Sequence, residues 1–155
     1  MFISANEASK MTWEARHITN FGMFCKQINN EIEFLKKSIE EYVVEKKIKS
    51  GVILSAVGCL YQVNLRCADG VTVKTINKDY EIVSATGTLS MDGCHIHVSL
   101  SDVNMQTIGG HLKDNCLVNV TAEIVLGEFD DFIFTREYDE STGYKELVIE
   151  ERKDD

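Results

Sequence analysis

From Gly51 onward the apolar residues of this chain recur with a period of two, in runs separated by Asp-Gly pairs. Successive side chains of an extended backbone fall on opposite faces, so such runs are strands buried on one side. Val52 to Val57 is nearly all apolar and reads as a buried strand broken by Gly58; Leu60, Val63 and Leu65 carry a second strand to Arg66. Asp69-Gly70 turns the chain into Val71 to Ile76 and Tyr80 to Leu89, and Asp92-Gly93 turns it again. Leu117 to Leu126 alternates, with Val118, Val120, Ala122, Ile124 and Leu126 as its core face and Asn119, Thr121 and Glu123 facing away. Phe129 to Phe134 and Glu146 to Ile149 are the last expected strands.

Before Gly51 the period is that of a helix. Ile32, Leu35, Ile39, Tyr42 and Val43 recur at intervals of three and four and form one apolar stripe. Asn30 is the expected N-cap, with Glu33 completing a capping box. Glu33/Lys37 and Lys37/Glu41 are opposite charges at four-residue spacing on the solvated face. Lys46, Lys47 and Lys49 suit a C-terminal end, and Gly51 is the stop signal. A short strand from Met23 to Ile28 precedes the helix, and residues 1–22 form a polar extension able to dock through Trp13, Ile18 and Phe21. One long helix near the N-terminus and many short strands joined by tight turns predict an α+β fold with a mainly antiparallel sheet. The domain is expected over residues 23–150, between the 1–22 arm and a charged tail, 151–155.

Three of the four histidines lie between His95 and His111. In a strand, Ile96, Val98 and Leu100 point to the core while His95, His97 and Ser99 point the other way. Two imidazoles on one face sit roughly 7 Å apart at the backbone, close enough to reach one ion. His111, brought back by a turn, is the candidate third ligand, and Gly109-Gly110 allows a sharp turn or close approach of another chain. Histidines on the polar side of a strand are otherwise ordinary surface residues, and the glycine pair an ordinary loop. Neutral imidazole suits zinc as well as copper, iron or nickel; three histidines leaving a fourth position open form a zinc site of the catalytic type, which lowers the pKa of water toward about 7. The expected ion is zinc. Asp102 and Glu123 are candidates for a fourth ligand, a partner of a ligating ring or a general base, against the default of surface carboxylates. Arg66 and Arg136 can each hold an anionic ligand or pair structurally with a carboxylate.

Charge and cysteine content narrow the functional classes. The formal net charge of −9 and pI near 4.9 disfavour direct binding to a phosphate backbone. Five scattered cysteines without a Cys-x-x-Cys pair indicate a reduced, cytoplasmic protein with mostly buried thiols. Met1 to Lys10 has no apolar region of the secretory type, and no apolar run reaches transmembrane length. The chain contains no proline.

Taken in order, Ile48-Lys49-Ser50-Gly51-Val52-Ile53-Leu54-Ser55-Ala56-Val57-Gly58, Val63-Asn64-Leu65-Arg66, Tyr80-Glu81-Ile82-Val83 with Thr86-Gly87-Thr88-Leu89, and His95 to Asp102 resemble the plant and prokaryote conserved (PPC) domain family. Gly109-Gly110-His111, Ala122-Glu123-Ile124 and Thr142-Gly143-Tyr144-Lys145-Glu146-Leu147 complete the pattern, from about Met23 to Ile149. The resemblance implies an α/β domain with a mainly antiparallel sheet, assembled as a homotrimer. It also implies metal binding by residues matching His95, His97 and His111. Plant relatives follow AT-hooks and bind transcription factors. This chain has no AT-hook, which needs a proline, and where the plant partner motif has Gly-Arg it carries Lys78-Asp79. Two functions stay open: a metal-dependent protein, enzymatic or not, acting on a small anionic or carbonyl ligand, and a non-catalytic assembly module associated with DNA through a partner.

Overall fold

The apolar stripe produces helix α1, Leu35–Lys46, in a computed structural model that describes residues 34–152. Asn30, Ile32, Glu33, the expected strand over 23–28, the 1–22 arm and residues 153–155 lie outside the described residues. Leu35, Ser38, Ile39 and Val43 form the buried face of α1. Phe34, the residue before the helix, is extended and makes an antiparallel bridge with Leu117, while the Leu35 N–H donates to the Cys116 carbonyl at 2.9 Å. Lys47 ends the helix in the left-handed conformation (φ 56°); its N–H donates to the Val44 carbonyl and that of Ile48 to the Val43 carbonyl. The expected stop at Gly51 is therefore corrected: the turn is complete four residues earlier, and Gly51 opens the first strand.

Seven strands follow: β1 (Gly51–Arg66), β2 (Val73–Ser90), β3 (Gly93–Ser101), β4 (Thr107–Leu112), β5 (Leu117–Glu128), β6 (Phe132–Asp139) and β7 (Tyr144–Glu151). Their pairings are all antiparallel. Gly58 does not break β1 in two. It takes φ +134° at a register shift against β5, where an added Cβ would stand 2.3 Å from the Thr121 carbonyl oxygen. The strand continues through a bulge rather than stopping. The same irregularity moves Val120 off the expected core face: with φ 61° it is 61% exposed, while Ala122, Ile124 and Leu126 are buried as the alternation requires. The two strands expected over 71–76 and 80–89 are one, β2, because its pairing with β1 shifts register at Leu60/Gln62 and carries on.

The pairings β1–β2, β2–β3, β3–β4 and β4–β1 close a circuit, and β5 runs along the remainder of β1. Leu60, Val63, Leu89, Ile96, Leu100 and Leu112 from the strands pack with Leu35, Ile39 and Val43 of α1 in one core. Each such side chain contributes about 1.5–3 kcal/mol on burial. β6 and β7 form a separate two-stranded sheet, an arrangement marginal by itself. It is anchored by the Phe134 N–H donating to the Lys49 carbonyl at 3.0 Å and the Ser50 hydroxyl to the Phe132 carbonyl at 2.9 Å. Among the described residues no helix is long and apolar enough to cross a membrane.

Candidate metal centre

Alternation on β3 buries Ile96, Val98 and Leu100 and sends His95 and His97 to the opposite face, as the sequence requires. Antiparallel register then does what sequence spacing cannot. It sets His97 opposite His111 on β4 and His95 opposite Thr88 on β2. The three rings cluster with centroids 4.8–5.3 Å apart, and one nitrogen from each lies within 4.8 Å of the others. The Nε2 atoms of His95 and His97 are 3.1 Å apart.

That arrangement fits a metal. Two imidazole nitrogens bound to zinc at 2.0–2.1 Å with tetrahedral angles stand about 3.3 Å apart. His111 also carries a buried Nδ1 with no hydrogen-bond partner among the described residues. Burial, and after it the neighbouring Arg66, pushes the His111 pKa down to about 4. His95 is lowered by burial first, then by His97, Arg136 and Arg66. Both rings are thus held neutral, the form that ligates. Cys94 adjoins the cluster, but burial pushes its thiol up to about 11, which disfavours a thiolate ligand. The four described cysteines are free, and Cys116 alone is buried; Cys59, Cys67 and Cys94 are half-buried, so the expected burial of the thiols is corrected in part.

Gly109 and Gly110 belong to β4 rather than to a loop. A Cβ on Gly109 would lie 2.7 Å from the Val98 carbonyl oxygen, and one on Gly110 2.8 Å from that of Arg66. The pair permits close approach of three backbones, and this brings His111 beside β3. The turn is made earlier, at Asp102 to Gln106, where Met105 takes φ 61°.

Asp102 is committed to that turn. Its carboxylate accepts from the backbone N–H groups of Asn104 (2.8 Å) and Gln106 (3.0 Å) and from the Lys78 ammonium. Glu123 is exposed on β5 opposite Val57. Within the described chain neither carboxylate lines the cleft beside the histidines. Arg66 and Arg136 do, with His95 and His111, in a cleft of about 420 Å³. Arg66 is the cross-strand neighbour of His111 and its guanidinium lies 5.2 Å from the Tyr144 ring centroid. The Tyr144 hydroxyl donates to the Gly70 carbonyl at 3.1 Å. Arg136, on the β6–β7 hairpin, donates from Nη2 to the Thr88 hydroxyl at 2.9 Å. Tyr144, Thr88 and Lys113 were not among the sequence candidates. Lys113 carried a signal, two positions beyond His111, and Tyr144 lay within a motif quoted for the family.

A closed antiparallel circuit with a three-histidine cluster at one cleft defines a small α+β domain built around a candidate metal centre. Residues 24–130 match the Plants and Prokaryotes Conserved (PCC) domain, and the chain belongs to that family. The bifunctional protein GlmU of Synechococcus sp. strain JA-3-3Ab is 40% identical over 116 residues, 75% of this chain; the chain spans about a fifth (19%) of that protein's length. A hypothetical protein from Salmonella shares the fold with a TM-score of 0.79 at 27% identity, over 84% of this chain and 94% of the other. A metal-containing protein of Archaeoglobus fulgidus aligns with a TM-score of 0.70 at 28% identity, over 81% and 92% of the two chains.

Proposed function

We propose that this PCC-domain protein binds a divalent metal ion through His95, His97 and His111, that the ion is zinc, and that the protein is a homotrimer. The observation that carries the reading is the convergence of one nitrogen from each ring within 4.8 Å, with the first two at 3.1 Å. The metal content of the similar Archaeoglobus protein supports it. A bound zinc ion supplies Lewis acidity at a position the three rings leave open. The protein's own part is to keep His95 and His111 neutral, to fix all three rings on the sheet, and to flank the position with Arg66 and Arg136. Assembly is supported by apolar side chains left about half-exposed on the sheet, among them Leu54, Val57, Tyr61, Val83 and Val120. The net charge of −9 favours a small ligand over nucleic acid as the partner.

Elemental analysis tests the ligand set. Purified protein is expected to carry a stoichiometric divalent ion, and His95→Ala with His97→Ala to carry almost none while remaining folded. Equal metal in both proteins would remove the assignment.

A further inference from the structure

Arg66 and Arg136 flank the histidines in a way that a purely structural arginine does not require. The Nε atom of each is buried without a hydrogen-bond partner among the described residues. Among the described residues neither guanidinium is in an ion pair, although Asp92 and Glu146 line the same cleft. Each is nonetheless held in place. Arg66 is packed over the Tyr144 ring, whose hydroxyl is tied to Gly70, and Arg136 is tied to Thr88. Each is also keyed to one histidine, Arg66 to His111 across β1–β4 and Arg136, through Thr88, to His95 across β2–β3. Two fixed guanidinium groups with unsatisfied donors thus face a cleft in a protein of net charge −9.

The geometry points to a small carboxylate, bound by Arg66 and Arg136 beside the ion, as the ligand of this cleft. The inference deepens the metal reading and rests on it for the neighbouring cation. The Nε–Nη edge of guanidinium matches a planar carboxylate with two parallel hydrogen bonds. The charged side chains of the lining, Arg66, Arg136, Lys113 and Lys145 against Glu40, Asp92 and Glu146, leave one net positive charge, the complement of a monocarboxylate, so the observations favour carboxylate over the more highly charged phosphate.

The chain has four arginines, Arg16, Arg66, Arg136 and Arg152, so their Nε–H resonances can be assigned with Arg→Lys variants. Metal-loaded protein is titrated with acetate and with propionate, using inorganic phosphate and neutral acetamide as comparators. Saturable downfield shifts of the Arg66 and Arg136 Nε–H signals are expected with the carboxylates, with Arg16 and Arg152 unmoved. Arg66→Lys and Arg136→Lys should each weaken binding by about tenfold or more, the loss expected for one charge-assisted contact. Their backbone spectra and metal content should stay those of the wild type. Absence of a saturable shift, or an equal response to phosphate, overturns the proposal. Metal analysis of the same samples separates the two claims. Full metal without a shift sinks the carboxylate site alone, whereas a shift in protein that never takes up metal upholds it and sinks the ion.

Discussion

Asp102 shows how a residue's partners decide its role. Read along the strand, it stands five residues beyond His97 and has the chemistry of a ligand. In the fold its oxygens are occupied by Lys78 and by the N–H groups of Gln106 and Asn104. Those contacts, the Lys78 bond foremost, lower its pKa below the ordinary carboxylate value. A folded-state pKa below the unfolded one of about 3.9 contributes stability that is present above that value and lost as pH falls through the folded one. Asp102→Asn is therefore expected to be less stable than wild type near neutrality, with the gap closing below about pH 4. Urea midpoints at neutral and acidic pH check this; a gap of constant size would show that the charge of Asp102 contributes nothing.

At the scale of elements, β4 is the short strand on which the site depends. The two-residue period on β3 makes His95 and His97 legible, because Ile96, Val98 and Leu100 mark the core side. His111 carries no such mark. Its place follows from β3–β4 pairing, and Gly109-Gly110 reads equally well as a loop until the neighbouring carbonyls are known. Val120 and Gly58 were misread for a related reason: a bulge adds a residue to one strand only, so alternation within that strand no longer reports which face is buried. The last two strands were legible only in part: the alternation marked 129–134 and 146–149, whereas the strands run Phe132–Asp139 and Tyr144–Glu151 and so take in Arg136 and Tyr144. The folding of this hairpin over the cleft depends on contacts between residues about eighty apart, such as Ser50 with Phe132. Gly110→Ala should force β4 from β1 and destabilise the fold by about 1–3 kcal/mol, as overpacking does. Chemical denaturation checks the cost, and metal uptake should fall with it; an unchanged midpoint would show that the 2.8 Å approach to the Arg66 carbonyl is not needed.

For the whole molecule, the closed strand circuit leaves α1 to cover one part of the core while apolar groups of β1, β2 and β5 remain exposed. A covered sheet face in an assembly accounts for Leu54, Val57, Tyr61 and Val120 together. Light scattering is expected to give three times the 17.5 kDa chain mass. Val57→Lys should shift that mass toward a single chain without loss of strand content by circular dichroism. A wild-type mass of one chain would exclude the trimer.

The account turns on a single ion shared by three rings drawn from two strands. X-ray absorption fine structure at the metal edge of the loaded protein measures that shell directly. Three imidazole nitrogens at about 2.0–2.1 Å are expected, with the imidazole signal lost in His95→Ala/His97→Ala. A shell of oxygen ligands without imidazole would contradict it.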